Sequence, residues 1–241
     1  MLRGFASLSF HNRAHQLAIA TIVVSIIQGF LLQSGTYIFL FSPFKTLYYF
    51  ELWRPFTALF VAASPVEVIF GTLIIYSIGG LLETRWSRRR FLYAIVGIPL
   101  AAELTVLLIA FIAPSIVPPA MLYAGSRQII TTLWILYGLA SHFSRERLNF
   151  WGTPITGKTF ALIGVGFVFL SGVFGGFTPV LPDMITVCLC YLYMYRFNVL
   201  HFTRKYELSY YDWKLKRLKQ KSGFKVIKGA RSDDDSDQQI H

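Results

Sequence analysis

The stretch from Phe50 to Leu92, FELWRPFTALFVAASPVEVIFGTLIIYSIGGLLETRWSRRRFL, decides the fold. It opens on an aromatic segment holding Trp53 and Arg54, then becomes almost wholly apolar from Val66 to Leu82. An acid, Glu83, and a basic turn with Arg85, Arg88, Arg89 and Arg90 close the run. A helix needs about 20 apolar residues to cross a hydrocarbon core of roughly 30 Å. This run approaches that length between two polar ends.

Similar runs fill the rest of the chain. Of 241 residues 54% are hydrophobic and 15% charged, and the mean hydropathy is +0.52. That composition excludes an ordinary soluble domain and predicts an all-α membrane protein. Six spans are expected, at Gln16 to Leu32, Val66 to Leu82, Phe91 to Ala113, Gly125 to Phe143, Thr159 to Gly175 and Leu181 to Leu200. The expected organisation is a cytoplasmic N-terminus over 1–15, a membrane domain over 16–200 and a tail over 201–241 that is first basic, then acidic. The first run has cations before it but no convincing small-residue cleavage site, so it reads as a retained span.

The net charge of +11 gathers at the ends of the apolar runs rather than on one soluble surface, which argues against nucleic acid. Arg3, Arg13, the arginines after Glu83, Arg145, Arg147, Lys158 and the basic tail fall on one side, so both termini are expected in the cytoplasm. Cys188 and Cys190, two apart in the last run, are expected as free thiols; no metal site and no cofactor are expected. The first outer loop, Gln33 to Pro65, is rich in Tyr, Phe and Trp and should lie along the membrane interface against lipid, as an anchor or also as a partner contact.

Ionisable residues in apolar runs are functional candidates because burying them is costly. Glu103 sits near the middle of the third run and needs a partner, a wet cavity or a proton. Glu67 lies near the outer end of the second run. Arg127 and Asp183 fall at similar depth at the starts of the fourth and sixth, where they can form a clasp or each reach interfacial water. Glu83 is expected to pair with Arg85 or a neighbouring arginine. Arg54 either bonds loop carbonyls or stacks on a ring, or it snorkels to headgroups. The pattern Gly152-x-x-x-x-Gly157-Lys158-Thr159 matches a phosphate loop, but no strand is expected before it, so it is read as a chance match. The glycines at 164, 166, 172, 175 and 176 are expected to serve close helix packing.

Trp53, Arg54, Thr57 and Phe60, then Gly79, Leu82 and Glu83, then the basic turn and Phe91 together resemble the rhomboid superfamily. The resemblance implies a six-helix bundle with a long outer first loop. It also implies, for an active member, an intramembrane serine protease with a G-x-S-G nucleophile motif, a partner histidine and an H-x-x-x-N oxyanion motif. The matching positions here read Ala124-Gly125-Ser126-Arg127, then Asp183 for the histidine, then Glu67 and Gly71. Only Ser126 remains as a catalytic candidate. Its base is absent, because a carboxylate with an ordinary pKa near 4 is a poor base for a serine hydroxyl. The chain thus resembles derlins in logic, as a rhomboid-like protein without the catalytic pair, and also a bacterial rhomboid relative.

The resulting expectation is a non-catalytic protein that binds or retains transmembrane segments of single-span clients. Trp53, Arg54, Glu67, Glu83, Glu103, Arg127 and Asp183 are its structural or client-contact candidates. The alternative is an intramembrane serine protease using Ser126 with a non-standard base, Lys45 or Asp183 through water. A transporter built on Glu103 and Glu67 lacks a visible inverted repeat. A bacterial inner membrane is the favoured location, the ER or Golgi if the source is eukaryotic.

Overall fold

The computed structural model describes residues 12–196 apart from 34, 145 and 151. Arg3, His11, Arg145, Trp151, His201, His241 and the basic and acidic parts of the tail therefore lie outside the described residues. The elements run α1 (Arg13–Gln33), α2 (Pro43–Tyr48), α3 (Arg54–Ala58), α4 (Pro65–Arg85), α5 (Arg88–Ile112), α6 (Ser126–Phe143), β1 (Arg147–Phe150), β2 (Thr153–Thr156), α7 (Gly157–Gly175) and α8 (Phe177–Arg196). The compact unit that contains them ends at Arg196.

Local chemistry sets the helix starts. Ser42, Ser64, Ser87 and Thr156 each precede a helix and accept a hydrogen bond from the backbone N–H three residues on. Such a cap satisfies one of the four N–H groups a helix leaves unbonded at its start. Pro43, Pro55 and Pro65 occupy first-turn positions, where the missing N–H costs nothing.

Five helices, α1, α4, α5, α7 and α8, are long and apolar enough to cross a membrane. The fourth expected span, α6, is 18 residues long but falls outside that group. The reason is its place in the bundle. α6 packs against α4, α5, α7 and α8, while α1 packs on α4. Gln128, Thr131, Thr132 and Ser141 of α6 are buried together with Leu133, Leu136 and Leu139. The outer helices instead present Phe30, Phe70, Tyr93, Phe111 and Phe174 outward. An axial helix surrounded by protein tolerates polar residues that a lipid-facing helix does not.

Glycine governs one crossing. A Cβ at Gly157 would collide with the carbonyl oxygen of Gly138 and the backbone of His142, so α6 and α7 touch main chain to main chain. Gly164 similarly makes room for the Trp134 indole, which stacks on Phe160 at 4.7 Å. Gly172 lies against Phe177, whereas Gly166 and Gly175 face open space and have no such packing role. The two cysteines also part company: Cys190 is in the core and Cys188 is exposed.

Two expectations need correction. A strand does precede the phosphate-loop pattern, because β1 and β2 form an antiparallel hairpin with Arg147 opposite Thr156. Gly152, at φ 87°, serves the turn, and residues 153–156 are a paired strand rather than a loop. Gly157 is pressed against α6, so the pattern cannot cradle a phosphate.

Glu83 likewise does not pair with an arginine. Its two carboxylate oxygens accept the backbone N–H groups of Arg13 and Ala14, each at 3.0 Å, and so cap α1 from α4. Arg85 turns instead to Glu146 at 2.6 Å, to Ser141 at 2.9 Å and to the face of Tyr137 at 5.0 Å. The orphan amides of a helix start attract a carboxylate more firmly than an exposed guanidinium does. Replacing Glu83 with Ala should therefore cost about 2 kcal/mol, and Gln should recover only part. Thermal unfolding in detergent measures both; equal stability of Glu83→Ala and the wild type would refute the cap.

Candidate functional site

The segment between α1 and α4 is held by polar side chains reaching its backbone. Gln28 of α1, 1% exposed, donates to the Thr36 carbonyl and accepts from the Phe39 amide, both at 3.0 Å. Ser25 donates to the Phe60 carbonyl at 3.2 Å and accepts from Ala62 N at 3.0 Å. Arg54 is 3% exposed and donates to the carbonyls of Tyr37 and Leu40 and to Glu51. Of its two readings, the structure takes carbonyl bonding over snorkelling. Trp53, beside it, is half exposed and gives α3 no side-chain cap.

This segment then positions the start of α6. Phe41 and Tyr123 pair as a β-bridge. Gly125 N donates to Ala58 O at 2.8 Å, and Ser126 N to Val61 O at 3.1 Å. A Cβ at Gly125 would meet Leu59 Cα and Glu103 Oε1, both at 2.8 Å, so only glycine fits there. The Tyr123 hydroxyl donates to the Thr178 carbonyl at 3.2 Å, and burial pushes its pKa up to about 12, so it stays a donor across the physiological range.

Around this point five of the candidate residues meet. Ser64 caps α4 by accepting from Glu67 N at 3.2 Å, and Glu67 Oε2 reaches back past the cap to accept from Ala63 N at 3.1 Å. Its other oxygen accepts the hydroxyl hydrogen of Ser126, a residue only 2% exposed. Arg127 donates to Asp183 Oδ2 through Nε at 3.0 Å and Nη2 at 2.7 Å. Glu103 is 0% exposed, and neither of its carboxyl oxygens has a hydrogen-bond partner among the described residues. Gln128 approaches it from α6, with its own carboxamide oxygen also unbonded.

Other candidates lie elsewhere. Glu83 is at the far end of α4. His15, stacked on Tyr76 at 4.2 Å, and His142, at the last turn of α6, are the histidines among the described residues and both are remote from Ser126. Lys45 is exposed on α2, and Asp183 is committed to Arg127.

A lateral cavity of about 600 Å³ opens beside the Arg127–Asp183 pair. Phe70 and Ile74 of α4 form one wall and Gly164, Phe167, Val168 and Ser171 of α7 the other, with α6 behind. A smaller one of about 140 Å³, between Ala63, Tyr123, Gln128 and Pro179, reaches the same ion pair. Such a mostly apolar recess with few polar groups suits a hydrophobic ligand.

Helices of this length and apolarity, folded round a polar axial helix, define an integral, multi-pass membrane protein with a polar chamber at one end. Residues 49–186 match the Rhomboid domain family. With more than half of its length matched, the chain belongs to that family. No curated protein sequence matches the chain significantly.

Sequence reasoning overlooked Gln28, Ser25, Gln128 and Gly125. The Ser64-x-x-Glu67 pattern before an apolar run was a readable signal for a helix start.

Removing Arg127 should do more harm than removing Asp183, because it leaves a 3%-exposed carboxylate without its cation. Arg127→Met and Asp183→Asn together should cost less than the sum of the single changes, with a coupling of about 1–3 kcal/mol. A double-mutant cycle on thermal unfolding reads this; strict additivity would mean that the two groups do not interact.

Proposed function

We propose that the chain is a non-catalytic member of its family that binds or retains transmembrane segments of client membrane proteins. The observation that carries this reading is the carboxylate of Glu67 beside Ser126, where an acyl-transfer enzyme needs hydrogen-bond donors. Attack on a peptide carbonyl builds negative charge on its oxygen, and an enzyme must aim donors at that oxygen. At the position where the family's oxyanion motif would begin, this chain has a carboxylate. It accepts rather than donates, and it repels the charge that must form. Loss of a single oxyanion donor already costs about 3 kcal/mol, and a negative charge in its place costs more. The Arg127–Asp183 pair fills the place of the partner base with a neutralised acid.

The lateral cavity supports the binding role. Its walls on α4 and α7 are apolar, as the flank of a client helix would require. In this reading α6 is the sixth crossing, its polar residues sheltered by its neighbours. The charge rule supports reading the end of the bundle that carries the cations of the α4–α5 turn and the hairpin as the cytoplasmic one, the side on which both termini are expected. The aromatic segment between α1 and α4 lies in the opposite interface, where exposed Tyr48, Tyr49, Phe50 and Trp53 meet lipid.

The hydrogen bond from Ser126 to Glu67 favours a second reading, in which Glu67 is the base of a serine protease. A serine-reactive fluorophosphonate probe separates the two. Ser126 should remain unlabelled in native membranes, with no difference from Ser126→Ala, while an active rhomboid in the same membranes reacts. Labelling lost in Ser126→Ala would establish the enzyme.

Binding has its own readout. A photo-crosslinking residue in place of Phe167 should capture a leucine-rich single-span helix co-reconstituted in bilayers, and one in place of the lipid-facing Leu104 should not. Equal capture at both positions would reduce the cavity to ordinary lipid surface.

A further inference from the structure

The chamber at the start of α6 holds more acid than base. Glu67 from α4, Glu103 from α5 and Asp183 from α8 lie within electrostatic reach of one another or of Arg127 on α6. With Glu67, Asp183 and Arg127 ionised the chamber carries an excess of one negative charge, and the positive end of the α6 dipole offsets only about half a charge.

The acids differ in what they can still accept. Both oxygens of Glu67 are taken, by Ser126 and by Ala63 N. Glu103 is sealed beneath Gly125 and does not line the cavity. Asp183 gives Oδ2 to Arg127, but its Oδ1 is buried with no hydrogen-bond partner. Asp183 also lines the lateral cavity, beside its partner Arg127 and with Thr131 and Ser171 in walls that are otherwise apolar. A buried carboxylate oxygen without a donor is costly, and here the missing donor can arrive from the cavity.

We propose that the lateral cavity selects client helices carrying a lysine or arginine, whose side chain donates to Asp183 Oδ1 while Phe70, Ile130, Phe167 and Val168 hold the apolar flank. This rests on the client-binding reading and adds the chemistry that chooses among clients. An ammonium or guanidinium inside a membrane is itself in need of an acceptor, so client and cavity each satisfy the other's unpaired group. Asp183 stands six residues into α8, which places the contact about 9 Å along the helix from its start, at about 1.5 Å per residue. The client's cation therefore belongs one to two turns inside its own helix end, not at the interface.

The test uses the full chain in bilayers with the crosslinker at Phe167 and three leucine-rich helices, identical except for Lys, Leu or Glu at that depth. The Lys helix should be captured about tenfold more than the Leu helix, as one charge-assisted bond allows, and the Glu helix no more than the Leu helix. Asp183→Asn should abolish the preference. The three-helix comparison on the wild-type chain stands even if that variant does not fold. Equal capture of all three helices would overturn the charge selection while leaving client binding intact. Capture of none would overturn both. A Lys preference that survives in a folded Asp183→Asn chain would also remove Asp183 as its source.

Discussion

The structure depends on one constraint: an axial helix with polar side chains must find every partner within the protein. α6 begins Ser-Arg-Gln and carries two threonines and a further serine, too polar a surface to face lipid. The other long helices bury it and turn their own aromatic and aliphatic residues outward. Much else follows from that enclosure. Gly138 and Gly157 let α7 come to backbone contact, Asp183 answers Arg127, and Arg85 reaches Ser141 near the far end.

The two ends of α4 use carboxylates in contrasting ways. At one end Glu83 caps α1, joining two helices through a charge-assisted bond to main chain. At the other Glu67 reaches back to the Ala63 amide ahead of its own helix and holds Ser126 with the oxygen left over. The serine hydroxyl becomes one more joint between α4 and α6. Together with the Arg127–Asp183 pair, that bond ties the start of α6 to the helices on either side of it.

Much of this was legible in the sequence, and what escaped did so for physical reasons. The long helices lie where the apolar runs lie, because length and hydropathy alone decide such segments. The Arg127–Asp183 pair is readable because both residues fall near the starts of apolar runs, which gives them similar depth. Glu83 misleads because its nearest sequence neighbours are arginines, while its true partners are the amides of a helix some seventy residues earlier. Gln28 and Ser25 look like tolerated polar positions in an apolar run; their roles appear only when the segment after α1 folds back over them. The hairpin is too short for any periodicity to announce it.

The join between α6 and α7 has a consequence for how the chain is made. Translation delivers α6 before the partners that cover Arg127 and Trp134 exist, so by itself it would hesitate at the entrance to lipid. Thirteen residues, most of them in the hairpin, join the two helices, and the glycine contact lets their backbones meet once α7 emerges. If α6 crosses the bilayer, the pair is then the natural unit of insertion, with the hydrophobic α7 carrying its more polar neighbour in. The tightest crossing in the bundle is thus placed between the helix that most needs an escort and the next one synthesised.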